Sequence, residues 1–297
     1  MNQPALQCID SSLYEFVAPD FEILQLDGTC SFSEGPVWCK EGFFLFSDIP
    51  QNAVYKIGRD LPKSLYLQPS GFTGHDDSFL SDQPGSNALA FSKEGKLLLC
   101  QHGDGAIGIY NGEVLQPMIS QFKGRRFNSP NDLVIHSNGS IFFSDPPYGL
   151  KDQQLMPDCC QPVAGIYCWR DGEVHLFNDR FQYPNGVCLS PDERYLYCCS
   201  TKSFEKMVMV YDAETLTFRC ILAEENSDGM KCDAFGNLYL CSKEGIVILN
   251  SKGERLGIIV LPTQPANITW GGSEGRDLLV TARQNIFLIP DLQKTQA

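Results

Sequence analysis

Ser129-Pro130-Asn131-Asp132-Leu133-Val134-Ile135-His136-Ser137-Asn138-Gly139-Ser140-Ile141-Phe142-Phe143-Ser144-Asp145 is the stretch from which the chain is read. Three short polar residues and a Pro lead into an apolar run, Leu133 to Ile135. Asn138-Gly139 then separates it from a second run, Ile141 to Phe143. Asn-Gly between two β-rich runs is a strong local hairpin signal, because both residues tolerate the positive φ that a tight turn needs. The same order of polar residue, strand, turn and strand occurs around Glu34, Asn87, Asn185, Asp228 and Ala266-Asn267.

The six copies recur at intervals of 39 to 54 residues. A period of that size, built only from strands, predicts a propeller or an array. One such unit cannot bury both of its faces, so neighbours must stack. The spacing therefore predicts an all-β fold: a six-bladed β-propeller of four-stranded antiparallel blades. If the blades close into a ring, their lead residues meet at one mouth of the central channel.

The segment Phe21 to Leu26 alternates and precedes the first copy, so it needs a partner elsewhere. Asn285 to Ile289 ends the last copy. Pairing the two closes the ring and removes an exposed sheet edge. Residues 1–20 are expected to be an irregular arm and residues 21–297 one propeller domain. Third strands are expected at 53–57, 106–110, 165–169, 207–211 and 245–249, and no stretch carries helical periodicity. The longest irregular segments, 68–85 and 146–164, are candidate lids over the channel mouth, since long loops on a β scaffold often carry function.

The formal net charge is −13. No basic stripe is present to neutralise phosphates, so neither nucleic acid nor an anionic membrane surface is an expected partner. A small molecule is, for a monomer or a homodimer. Residues 1–20 contain no Lys or Arg and do not read as a signal peptide. Thirteen Cys, an odd number with no Cys-x-x-Cys pair, fit a reducing, cytoplasmic setting. Cys100, Cys168, Cys188, Cys198 and Cys241 lie in strand runs, where a thiol packs as a small hydrophobe. Cys159-Cys160 falls in a loop and is expected to be exposed.

Two motifs are decoys. Gly103 to Gly108 spells G-x-G-x-x-G, but it lies between strands and no helix follows to cradle a phosphate. Gly271 to Gly275 spells G-x-S-x-G, again in a hairpin and not at the strand-to-helix turn a nucleophile needs.

The chemistry is expected from Glu34, Asn131, Asn185 and Asp228. Two carboxylates and two amides form a hard-oxygen set suited to calcium, which takes six to eight oxygens in loose geometry. Magnesium, manganese and zinc are the other divalent candidates, although no His or Cys cluster favours zinc. One Asn or Asp before a strand often only caps a turn. Four of them facing one axis need a further reason.

Taken in order, Glu34-Gly35-Pro36-Val37-Trp38, Cys100-Gln101-His102-Gly103, Ser129-Pro130-Asn131-Asp132, Pro184-Asn185-Gly186, Ser227-Asp228-Gly229 and Thr281-Ala282-Arg283 resemble the SMP-30, gluconolactonase and luciferin-regenerating-enzyme family, nearest its bacterial gluconolactonase branch. The likeness spans about Phe32 to Ile289. It implies a six-bladed propeller and one divalent metal, usually calcium, held by Glu34, Asn185 and Asp228. It places Asn131 on the metal, a metal-bound water or the substrate. Diisopropylfluorophosphatases and paraoxonases share a similar Glu, Asn, Asn, Asp set. Ser129 stands where animal members carry a sugar-binding Arg, so the substrate pocket differs. His102 matches one of the paired His residues of paraoxonase-like enzymes, but Asn87 fills the place of the other. Asn87, His102 and Asn131 are the expected substrate contacts.

The resemblance implies hydrolysis of an aldonolactone such as glucono-1,5-lactone, with the cation polarising the carbonyl and Asp228 as general base, Glu34 being the alternative base. A phosphotriesterase or arylesterase using the same site, and a non-enzymatic scaffold pinned by its metal, are the alternatives.

Overall fold

The computed structural model describes residues 5–74 and 77–295. Among them the chain forms six blades around a central channel. Their innermost strands are Ser33–Cys39, Ser86–Phe91, Leu133–Ile135, Pro184–Leu189, Met230–Cys232 and Asn267–Gly271. Each blade runs outward as an antiparallel meander. Blade four, for example, continues through Tyr195–Ser200, Val208–Asp212 and Phe218–Ala223. The sixth blade borrows its outer strand: Leu24–Asp27 pairs with Asn285–Ile289, with Leu24 opposite Leu288. The expected closure of the ring is thus present. Both decoy motifs are hairpin turns, one joining Leu97–Gln101 to Ala106–Tyr110 and the other joining Asn267–Gly271 to Asp277–Ala282.

The apolar runs are nearly continuous because both faces of each blade are covered. Alternate side chains point to opposite faces. Leu238 and Leu240 therefore pack towards blade four, while Tyr239 and Cys241 pack towards blade six. Each of the six blade interfaces has its own apolar cluster. The strand cysteines are part of this filling: Cys100, Cys168, Cys188, Cys198 and Cys241 are all buried, and all thirteen thiols are free. No described helix is long and apolar enough to cross a membrane.

Two expectations need correcting. The arm is not irregular where it is described. Leu6–Cys8 adds a fifth strand to blade five by pairing with Arg255–Ile259, so that blade is not four-stranded. A short 3-10 turn, Ser11–Glu15, follows, with the Asp10 side chain accepting from the Ser12 amide. Leu13 and Val17 are completely buried between blades five and six. The strand covers an edge that would otherwise invite pairing with another chain. Residues 1–4 of that arm lie outside the described residues. Next, Cys159 is exposed but Cys160 is buried, so the two thiols do not form an exposed pair. The candidate-lid segments 68–85 and 146–164 are joined to each other. Leu80 bridges Leu150, and the Ser81 amide donates to the Gly149 carbonyl at 2.9 Å. Residues 75 and 76 of the first segment are outside the described set.

Three of the lead residues, Glu34, Asn87 and Asn185, sit at irregularities in the ladders. Register shifts fall between Glu34 and Val37, Ser86 and Leu89, and Pro184 and Val187, at the start of three inner strands. A bulge of this kind re-aims a side chain that regular pairing would point at a sheet face. Gly35 makes one of these turns possible. Its φ is +54°, and an added Cβ would lie 2.1 Å from the Asn87 carbonyl oxygen in the next blade. Gly112 has a φ of +98° but open space around it. Gly35→Ala is therefore expected to destabilise by roughly 2–4 kcal/mol more than Gly112→Ala, from the clash alone. Thermal unfolding should show an extra fall in Tm of roughly 3–6 °C.

Candidate active site

Every blade interface at the mouth of the channel is tied by a hydrogen bond beside a lead residue. Between blades one and two the Ser47 hydroxyl donates to the Asn87 carbonyl at 2.7 Å. Between two and three the Ala88 amide donates to the Asn131 carbonyl at 3.0 Å. The Val187 amide donates to Asp132 Oδ2 at 3.0 Å between three and four. The Gly186 amide donates to the Asp228 carbonyl at 3.0 Å between four and five, and Gly229 to Ala266 at 2.7 Å between five and six. The Ser33 amide closes the circle on the Arg283 carbonyl at 2.7 Å. Backbone fixed this way leaves the lead side chains little freedom.

Within this ring, Asn185 and Asp228 touch. Asn185 Nδ2 donates to Asp228 Oδ1 at 2.7 Å and to Thr201 Oγ1 at 2.6 Å. Asp228 Oδ2 accepts no hydrogen bond from any described residue, and Asp228 keeps part of its surface open. Burial pushes the Asp228 carboxyl up to about 7, against the pull of the Arg283 charge and the Asn185 amide. Glu34 is buried, and its Oε2 accepts from the Gly35 amide at 2.9 Å. Burial first, and then the Asp228 charge, raise the Glu34 carboxyl well above the carboxylate range. The two carboxylates are therefore within electrostatic reach of each other. The Asn131 side chain, also buried, makes no hydrogen bond to a described residue. The structure thus brings Asn185 and Asp228 into contact, puts Glu34 within reach of the Asp228 charge, and leaves the Asn131 amide unpartnered.

Asn87 and His102 form a separate pair. His102 Nδ1 lies 3.2 Å from the Gln83 carbonyl, which can only accept, so Nδ1 carries the proton. Nε2 then accepts from Asn87 Nδ2 at 3.4 Å. His102 is completely buried with both nitrogens engaged, so it does not offer itself to a substrate. Its Nε2 steadies Asn87, whose Oδ1 is buried without a partner.

Several residues at the mouth had no role in the sequence reading. Asp132 is buried and ties blade four, with Lys231 Nζ 3.8 Å away. It directly follows Asn131, which was its only signal. Tyr148 stacks on Tyr183 with ring centroids 5.7 Å apart. Its hydroxyl is buried beside Thr201 and Asn185 but forms no hydrogen bond of standard geometry. Arg283 and, more weakly, Lys202 are positive charges that act on Asp228.

The donor set fits a hard divalent cation. Two carboxylates are held together in a buried, acidic neighbourhood, which is costly unless a positive charge or protons intervene. The unpartnered Asn131 amide and the orphaned Asn87 Oδ1 are neutral oxygens of the type such a cation accepts. Among the described residues no three His, Cys, Asp or Glu side chains cluster for a metal. Ligation here would rest on amides as much as on carboxylates, which disfavours zinc.

The comparisons with known proteins agree with this architecture. The SMP-30/Gluconolactonase/LRE-like region matches residues 32–284. A gluconolactonase of Zymomonas mobilis is 33% identical over 292 residues, covering 92% of this chain and 82% of that protein. The lactonase drp35 of Staphylococcus aureus is 24% identical, covering 87% of this chain and 75% of its own length. Among solved structures, a gluconolactonase of Xanthomonas campestris superposes with a TM-score of 0.83 at 24% identity, covering 98% and 95% of the two chains. A calcium-binding regucalcin of Agrobacterium tumefaciens superposes with a TM-score of 0.73 at 20% identity, covering 93% and 96%. Below 25% identity these superpositions carry the fold alone.

Burial lowers the His102 pKa from 6.5 to about 4. Between these values the unfolded chain binds the proton and the folded chain does not. The corresponding stability is present above pH 6.5 and is lost as the pH falls towards 4. The unfolding free energy of the wild type relative to His102→Gln is expected to drop by up to about 3 kcal/mol over that window. Denaturant titrations of both proteins at several pH values check this, since carboxylate contributions common to both cancel.

Proposed function

The chain belongs to the SMP-30/gluconolactonase/LRE-like family, and from that membership we propose that it is a lactonase that opens a sugar lactone to the hydroxy acid. The observation that carries the proposal is the pairing of Asn185 with Asp228 at the mouth of the channel, with Glu34 and the unpartnered Asn131 amide facing the same space. The one-third identity with the Zymomonas mobilis gluconolactonase supports an aldonolactone as substrate.

Hydrolysis needs a group to take a proton from water and an environment that tolerates negative charge on the carbonyl oxygen. Asp228 is suited to the first task. Asn185 Nδ2 fixes Oδ1, and Oδ2 is left to accept the proton of the attacking water. A carboxyl pushed up towards neutrality by burial is a stronger base than an exposed one. As the ring C–O bond breaks, the same oxygen returns the proton to the departing alkoxide. The products are the carboxylic acid and the freed hydroxyl, so one water is consumed and no other reactant is needed.

Asn131 positions the carbonyl end of the lactone, and Asn87, steadied from behind by His102, accepts from a ring hydroxyl with its free Oδ1. A divalent cation bound by Glu34, Asn131, Asn185 and Asp228 would polarise the lactone carbonyl as a Lewis acid. Calcium suits an all-oxygen set, and the Agrobacterium tumefaciens protein of the same fold binds it.

Asp228→Asn is expected to lower kcat/KM on D-glucono-1,5-lactone by at least about 100-fold, with an unchanged circular dichroism spectrum. Undiminished turnover in this variant would remove the assignment. In the chelator-treated protein, calcium at about a hundredfold excess over its Kd should add about 2.7 kcal/mol of stability. Calorimetric unfolding checks this without reference to activity. Glu34→Gln should lose most of that gain.

A further inference from the structure

We propose that the lactone taken by this site carries a second, anionic group, a carboxylate or a phosphate, and that Lys202 and Arg283 bind it. The inference rests on the lactonase reading above and narrows its substrate class.

The topology puts both cations at the mouth. In every blade the turn between the second and third strands opens on the face where the inner strand begins, because successive strands run antiparallel. Lys202 lies in that turn of blade four, between Tyr195–Ser200 and Val208–Asp212. Arg283 lies in that turn of blade six, between Asp277–Ala282 and Asn285–Ile289. Asp228 leads blade five, so the two cations flank it from the blades on either side. Local bonds tighten the placement. Thr201, the residue before Lys202, accepts from Asn185 Nδ2 at 2.6 Å. The Arg283 carbonyl accepts from the amide of Ser33, the residue before Glu34.

The way the two charges are held points to an outside anion. Lys202 Nζ sits 4.2 Å from the centroid of the Tyr183 ring and 5.7 Å from that of Tyr148, which are themselves stacked. The Arg283 guanidinium lies 5.1 Å from the centroid of Phe32. Aromatic faces orient a cation while leaving its N–H donors free. Among the described residues neither side chain forms an ion pair with a carboxylate, although acidic residues outnumber basic ones by 36 to 23. Elsewhere the chain does pair such cations: Lys63 with Asp27 at 2.8 Å and Arg255 with Glu225 at 2.6 Å. A neutral sugar would leave both donor sets at the mouth unanswered. A carboxylate or phosphate at the far end of the substrate would receive charge-assisted hydrogen bonds from both sides.

The test compares kcat/KM for D-glucaro-1,4-lactone, 6-phospho-D-glucono-1,5-lactone and neutral D-glucono-1,5-lactone. The wild type, Lys202→Met, Arg283→Met and the double variant are measured at low and at physiological ionic strength. The wild type is expected to favour at least one charged lactone by about tenfold or more at low salt, with the preference shrinking as salt screens it. Each single variant should cut the charged-to-neutral ratio several-fold, and the double variant should abolish it. The lactone whose ratio responds identifies carboxylate or phosphate as the recognised group. Absence of preference in the wild type, or equal losses on all three lactones, overturns the inference while leaving lactone hydrolysis standing. If none of the three is hydrolysed, the lactonase reading fails, and calorimetry decides the inference separately. D-glucarate should then bind the wild type more tightly than D-gluconate, with the difference lost in the double variant; equal binding of the two overturns it.

Discussion

The circle of hydrogen bonds that joins one blade to the next at the channel mouth is the constraint on which the site depends. Each bond uses a backbone group or a short side chain within two residues of a lead position, or on the strand paired with it. A buried backbone donor left unmade would cost about 1–3 kcal/mol, so the blades cannot slide past one another without losing several at once. The circle also explains why glycines follow three of the leads, Glu34, Asn185 and Asp228. Gly35 and Gly229 lie where a Cβ would meet the neighbouring blade at 2.1 Å. Close approach of blades at the axis brings side chains from different thirds of the chain to one place.

That approach has an electrostatic consequence. Glu34, Asp132 and Asp228 come from three blades, and each carboxyl is raised by burial. The structure answers them unequally. Asp132 has Lys231 and two backbone amides, from Leu133 and Val187, and serves as a strut between blades. Glu34 and Asp228 have fewer protein partners and feel each other's charge. A group satisfied on every side is structural; a group left with unused lone pairs is available for chemistry. The same distinction separates His102, with both nitrogens engaged, from Asn87, whose oxygen is free.

The rest of the molecule serves to keep this geometry closed. Two different stretches near the start of the chain seal late blades. Leu24–Asp27 completes blade six, and Leu6–Cys8 covers the outer edge of blade five. Between them Leu13 and Val17 fill the groove between those two blades. The 68–85 and 146–164 segments, bonded to each other, place Tyr148 over Thr201 and Asn185. Loop and scaffold therefore meet at the same side chains.

The sequence by itself determined the number of blades, the closure of the sixth and the positions of the leads. Hairpin turns and alternating apolar runs are local features, and their repetition counts the blades without reference to contacts. It also yielded the family, since the motifs around Glu34, Asn131, Asn185 and Asp228 lie in order along the chain. Only the tertiary structure decided which polar residues are struts and which are free. Asp132 and Asp228 look alike as letters before a strand, and they differ because Asp132 accepts an amide from the next blade while Asp228 keeps an oxygen open. Lys202 and Arg283 lie 81 positions apart in the chain and flank Asp228 only because the ring sets blades four, five and six side by side. Hydrogen bonding, burial and charge proximity depend on distance through space, and separation along the chain carries no record of it.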